Sequence, residues 1–192
     1  YYGENTLDYV LVNTNTMELD YQTGTGDLAK THYDGTGGVP VGSWLRKLAY
    51  AWEMGDINIL ISGELNSDSR IQYRRTIQDR IRTVAPFLLL DKDPYIVAES
   101  DQLLWVQDAY TTSADMPYSD PVSDEIRGEG GSYNYVRNSV KVVVDAYNGT
   151  MNFYLWSPED PLAKTYDTIF PDLFTSTSQM PDSLKSHMRY PQ

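Results

Sequence analysis

Cysteine is absent from this 192-residue chain, and histidine occurs only twice, as His32 and His187. The first absence excludes a disulfide framework, a thiolate nucleophile and any cysteine zinc site. The second, together with the lack of an HExxH pair, argues against a zinc hydrolase. No run of about 18 apolar residues occurs, so this segment is not expected to insert into a membrane. There is no GxxxxGK(S/T) phosphate loop and no GxSxG elbow. Gly24-Thr25-Gly26-Asp27-Leu28-Ala29 lacks the preceding apolar strand and following helix that a dinucleotide site needs. Basic residues are few: 15 Lys and Arg stand against 27 Asp and Glu, a net charge of −12. Such a chain repels phosphate backbones, so nucleic acid is not an expected partner. The same charge repels anionic lipid head groups.

What is present is an ordinary globular composition, with 41% hydrophobic and 22% charged residues, enough apolar material for a packed core. Tyrosine is frequent (16) and phenylalanine scarce (4). Tyrosine joins an apolar ring to a polar tip, which suits sheet edges and half-buried surfaces. A short strand is predicted at 8–12. The Gly- and Thr-rich stretch 21–40 reads as a long surface loop. Ser43 begins a helix that runs to about Met54, with Trp44, Leu48, Ala51 and Trp52 on one face. Residues 57–61 form either a second short helix, capped by Asp56, or a buried strand. The clearest helix is predicted over about 69–84, closed by Pro86, with Tyr73, Ile77, Ile81 and Val84 on one side. Arg70 and Arg74 fall in that same sector.

Two hairpins follow. Residues 95–98 pair with 103–110 across 99–102. Asn148-Gly149 is the preferred pair for a two-residue type I′ turn. A turn there sets Ala146 against Met151, Val144 against Phe153 and Val142 against Leu155, giving one apolar face. Lys141, Val143 and Asp145 lie on the other. A helix over about 162–169 follows an acidic turn. Residues 115–132 read as a mobile connection. Asp108-Ala109-Tyr110 is echoed by Asp145-Ala146-Tyr147, which suggests two related helix-and-hairpin halves, 1–114 and 132–192. The expected fold is α+β: a single domain of antiparallel hairpins packed against helices, the Arg-rich helix lying across the 140–156 hairpin.

A series of motifs runs along the chain: YYGE (1–4), YDGTGGVPVGS (33–43), GDINILIS (55–62), DSRIQYRR (68–75), APFLLLDKDPY (85–95), QDAYTTS (107–113), VRNSVKVVVDAYNGT (136–150) and IFPDLF (169–174). This series resembles an uncharacterised protein family, a UPF group of large bacterial multi-pass membrane proteins. The resemblance implies a segment excised from a larger protein of the bacterial cell membrane, lying outside the cytoplasm. The remainder of that chain is then the first partner expected.

Chemistry is thinly marked. No metal site or cofactor is expected. Asp91-Lys92-Asp93 lacks the Gly that an EF-hand needs at its sixth position. The Gly37-Gly38 loop precedes a helix N-terminus, a place where an anion can bind. Asp108 and Asp145 lie toward strand ends. Either they bond turn amides or meet Arg70 and Arg74, making the Arg-rich helix a lock, or the arginines form a site for an anionic ligand such as a lipid head group or cell-wall polymer. The function expected is a non-catalytic module that binds an envelope polymer, a lipid or a protein partner, or a purely structural piece. The alternative is a carboxylate-dependent hydrolase or transferase acting on envelope material.

Overall fold

The computed structural model describes residues 1–4, 6–22, 24, 26–123 and 132–190. The fold is α+β, with two compact units. One holds residues 6–75, the other residues 1–5 and 76–192. The units do not divide between 114 and 132, because the two hairpins expected in separate halves share one sheet.

In the smaller unit, β1 (Tyr9–Val12), β2 (Glu18–Gln22), β3 (Leu28–Thr31) and β4 (Val39–Pro40) precede α1 (Trp44–Glu53), α2 (Asn58–Ile61) and β5 (Arg70–Tyr73). β5 sits between β1 and β4. The expected long loop at 21–40 is therefore replaced by a β2–β3 hairpin and the short β4, though residues 23 and 25 of its turn lie outside the described residues. The predicted helix over 69–84 is also corrected. Its first turn is the strand β5, since Ile71 is buried between both neighbours. Arg74 then adopts φ +50°, which breaks the chain direction before the helix. Ile71, Tyr73 and Ile77 fit a strand period as well as a helical one, and pairing on both edges decides for the strand. Val41, Ala51, Ile59, Leu65 and Ile71 form this unit's core.

In the larger unit, α3 (Ile77–Val84), β6 (Leu89–Leu90), β7 (Tyr95–Glu99) and β8 (Gln102–Ser113) come first. They are followed by β9 (Val122–Ser123), β10 (Ser132–Tyr133), β11 (Tyr135–Asp145), β12 (Met151–Leu155), α4 (Pro161–Ile169), β13 (Phe174–Ser176) and α5 (Asp182–Lys185). One sheet runs β13-β12-β11-β8-β6, with β7 also on β8. The β7–β8 hairpin closes with Glu99 opposite Gln102, and Ser100 at φ +51° makes the tight turn. The connection expected to be mobile, 115–132, lies partly outside the described residues. Its described start is tied down, because Asn134 Nδ2 donates to the carbonyls of Met116 (2.7 Å) and Ser119 (2.9 Å).

The 135–155 hairpin keeps its expected faces but not its register. Val142 lies opposite Phe153 and Val144 opposite Met151, so the loop is two residues wider than a type I′ turn. Only Gly149 of the Asn-Gly pair has positive φ, at +70°, whereas type I′ needs both. The Asp145 carboxylate explains the change. It accepts from the amides of Tyr147 (2.7 Å) and Asn148 (3.1 Å), and the Gly149 amide reaches the Asp145 carbonyl (2.8 Å). A slip of two, unlike a slip of one, leaves every side chain on its own face.

Both faces of the sheet are covered. Val140, Val142, Val144 and Phe153 pack against Ile77 and Ile81 of α3, so the helix does lie on the expected hairpin face. The second face, with Val106, Val143 and Tyr154, is closed by Met180 and Leu184. Asp160 anchors α4. As N-cap it accepts from the amides of Leu162 and Ala163, and from the hydroxyls of Thr111 (2.5 Å), Ser139 (2.6 Å) and Tyr135 (2.5 Å). Burial alone pushes this carboxyl up, but those hydrogen bonds outweigh it and hold it below its ordinary range.

Two outcomes follow from this packing. A side chain at position 149 would meet the ring of buried Tyr2, and positive φ adds strain. Gly149→Ala is expected to lose about 2–4 kcal/mol of unfolding free energy in urea titration. Asp160, with its depressed folded pKa, stabilises fully above the unfolded value of about 3.9. That contribution fades as pH falls from there through the folded value. Asp160→Asn should be less stable than wild type at neutral pH, and the gap should narrow in denaturant titrations taken below about pH 4.

Candidate functional site

The turn end of the large sheet carries two adjoining clefts. One, of about 550 Å³, is lined by Glu99, Asp101, Gln102, Asp145, Asn152 and Tyr154, with Leu184 at its side. The other, of about 360 Å³, shares Asp101, Gln102 and Asp145 and adds Tyr1, Tyr147 and Asn148. The β7–β8 turn and the wide 145–150 loop stand side by side and raise these groups beyond the strand ends. The rings of Tyr1 and Tyr147 lie 5.7 Å apart at 49°.

The lining is acidic and amide-rich, and among the described residues no Lys or Arg contributes to either cleft. Its carboxylates differ in freedom. Asp145 is engaged by its own loop, where Oδ2 also accepts from Asn148 Nδ2 (2.9 Å). Glu99 Oε1 accepts from the Ser183 hydroxyl, while Oε2 is buried and has no hydrogen-bond partner. A buried carboxylate oxygen without a donor is costly. Among the described residues no group of three His, Asp or Glu side chains is placed to hold a metal ion.

The residues singled out from sequence lie in several places. Arg70, on β5, donates from Nε to the Gly37 carbonyl (2.7 Å) and from Nη2 to those of Thr36 (2.7 Å) and Gly38 (2.9 Å). It thus braces the Gly-rich loop proposed for anions. Arg74 marks the strand-to-helix break. Asp145 organises a turn, and it alone of the four lines the clefts. Asp108 pairs with Lys141, the two side chains 5% and 1% exposed. Asn138 Nδ2 donates to the same Asp108 oxygen (3.0 Å), and Lys141 Nζ also donates to the Arg189 carbonyl (3.0 Å). Lys141 lies 5.4 Å from the Trp156 ring centre. The expected arginine partner of Asp108 is thus replaced by a lysine on the adjacent strand. The reason is register, since Lys141 lies directly opposite Asp108 in the β8–β11 ladder. Glu99 and Asp101 escaped sequence reasoning because their turn carries no motif.

The chain matches the model of the uncharacterised protein family UPF0182 over residues 1–192. It belongs to that family. The UPF0182 protein of Sulfurovum sp. is 49% identical over the whole of this chain, which covers 21% of that protein. The UPF0182 proteins of Cupriavidus necator and Salinibacter ruber are 47% and 48% identical, again over all of this chain and 20% of each relative. The chain thus spans about a fifth of the length of the curated UPF0182 relatives it matches. No solved structure matches it. No described helix is long and apolar enough to cross a membrane.

The sealed Asp108–Lys141 pair has a measurable signature. Removing one partner strands a buried charge, so Lys141→Met and Asp108→Asn are each expected to cost about 3–5 kcal/mol. The double variant should be clearly more stable than the sum of the singles implies, as read by a double-mutant cycle in urea.

Proposed function

We propose that this chain is a non-catalytic binding module in the extracytoplasmic part of a bacterial integral membrane protein, and that the turn-end clefts hold its ligand. The carrying observation is their chemistry: carboxylates, amides and tyrosine rings, with no Lys or Arg among the described lining residues. Such a lining suits a hydroxyl-rich or amine-bearing envelope polymer, whose donors meet the carboxylates and amides while sugar faces lie on the rings. It does not suit an anionic head group. With a net charge of −12, nucleic acid is equally unsuited.

Catalysis is disfavoured because Asp145 is tied to its turn and Asp108 is sealed with Lys141. A second reading, a carboxylate-dependent hydrolase or transferase of envelope material, rests on Glu99 and Asp101 facing one cleft. Placement at the bacterial cell membrane rests on the family resemblance, and the remaining four-fifths of a UPF0182 chain is the natural neighbour of this segment.

The test is a thermal-unfolding panel with chitosan oligosaccharides and with oligomers of N-acetylglucosamine and N-acetylmuramic acid. A ligand at about a hundred times its Kd adds about 2.7 kcal/mol. We expect that stabilisation with one glycan class, and its loss in Glu99→Gln and Gln102→Ala. No shift with either class rejects the polymer ligand, and slow cleavage of the oligomers would favour the hydrolase.

A further inference from the structure

In the smaller unit the most apolar side of α1 points away from the core. Tyr50, Ala51 and Met54 pack inward, Tyr50 lying 5.7 Å from Tyr73 of β5. Trp44, Leu45, Leu48 and Trp52 fall within one helical sector about 100° wide. Of these, Leu45 is 71% and Trp52 88% exposed. The neighbouring helix α2 turns Ile59 inward and leaves Ile57 and Ile61 exposed. The face expected from sequence to be core is therefore divided, with only Ala51 of its four residues buried.

We propose that this outward face of α1 and α2 rests in the interfacial layer of a lipid bilayer without crossing it. The side-chain types name the occupant. Tryptophans stand in the first and last turns with leucines between them, and no ionised group enters the sector. Indole rings are favoured at head-group depth, and Leu and Ile at the acyl boundary. A ten-residue helix is about 15 Å long, too short to span but suited to lying flat.

Charge permits the approach. Residues 6–75 carry six basic and nine acidic side chains, so most of the chain's acidity lies elsewhere. A zwitterionic surface is therefore the expected target, in keeping with the repulsion the whole chain exerts on anionic lipid. The inference rests on the helix face alone and is independent of the glycan ligand.

The test uses the 192-residue chain with phosphatidylcholine vesicles, alone or mixed with phosphatidylglycerol. We expect flotation with the neutral vesicles, weaker flotation with the anionic mixture, and quenching of tryptophan emission by lipids brominated on the acyl chain. Leu45→Gln and Trp52→Gln should each weaken vesicle binding by about tenfold while leaving the melting temperature unchanged, because neither side chain packs in the core. Absence of flotation overturns the inference, as does equal binding by the double variant. Vesicle-independent dimers that Leu45→Gln dissociates would overturn it in favour of a second copy.

Discussion

The buried pair of Asp108 and Lys141 fixes the larger unit. The two residues face each other across the central β8–β11 ladder, so the pair is satisfied in one register only. A slip of β11 by one residue would send Lys141 to the opposite face, among Ile77, Ile81 and Phe153, and leave Asp108 buried without it. Lys141 also holds the Arg189 carbonyl, which draws the C-terminal segment over the second face of the sheet. Tyr95 reinforces the closure, because its ring stacks under the Arg189 guanidinium at 4.6 Å and its hydroxyl accepts from the Arg189 amide. Met180 and Leu184 then reach their places in the second core. Leu184 and Pro181 in turn form one side of the candidate cleft. The site thus depends on a contact that never touches it.

The same logic separates groups that stabilise from groups that remain available. Asp160 gathers three hydroxyls and two amides at the head of α4. Asp91 accepts from Tyr110 (2.6 Å) and from the amide of Asp93 (3.1 Å), so the loop tested for calcium is organised by its own hydrogen bonds. In the smaller unit, Tyr9 donates to Asp56. That bond, with burial and the nearby charge, pushes the phenol up to about 12. Glu99 is different, since one of its oxygens has no donor and lies beside a cleft. That contrast, rather than the abundance of acid in the chain, selects the candidate site.

Much of the fold was legible because its signals were local. The apolar alternation of Val140, Val142 and Val144 named the core face. The acidic turn before residue 162 marked the start of α4 to within one residue. The errors came from signals that local pattern cannot resolve. Arg70 to Tyr73 suits helix and strand alike, and only pairing with β1 and β4 decides between them. The Asn148-Gly149 turn is widened by a carboxylate three residues upstream of Asn148. On α1 the packed side is set by what the small sheet can accept, so Trp44 and Trp52 face outward despite an apolar pattern. Of the site, Asp145 was visible from sequence, but the role of Glu99 was not. It is defined by a contact to Ser183, distant in the chain.

Native-state hydrogen exchange on the unmodified chain tests most directly whether the Asp108–Lys141 pair unites sheet and C-terminal segment. The amides of β8 and β11, together with those of Lys185, Met188 and Arg189, are expected to exchange through a single opening near the global unfolding free energy. Rapid exchange of Lys185, Met188 and Arg189 while the two strands stay protected would contradict it. It would show that the second face and its cleft form without the tie from Lys141.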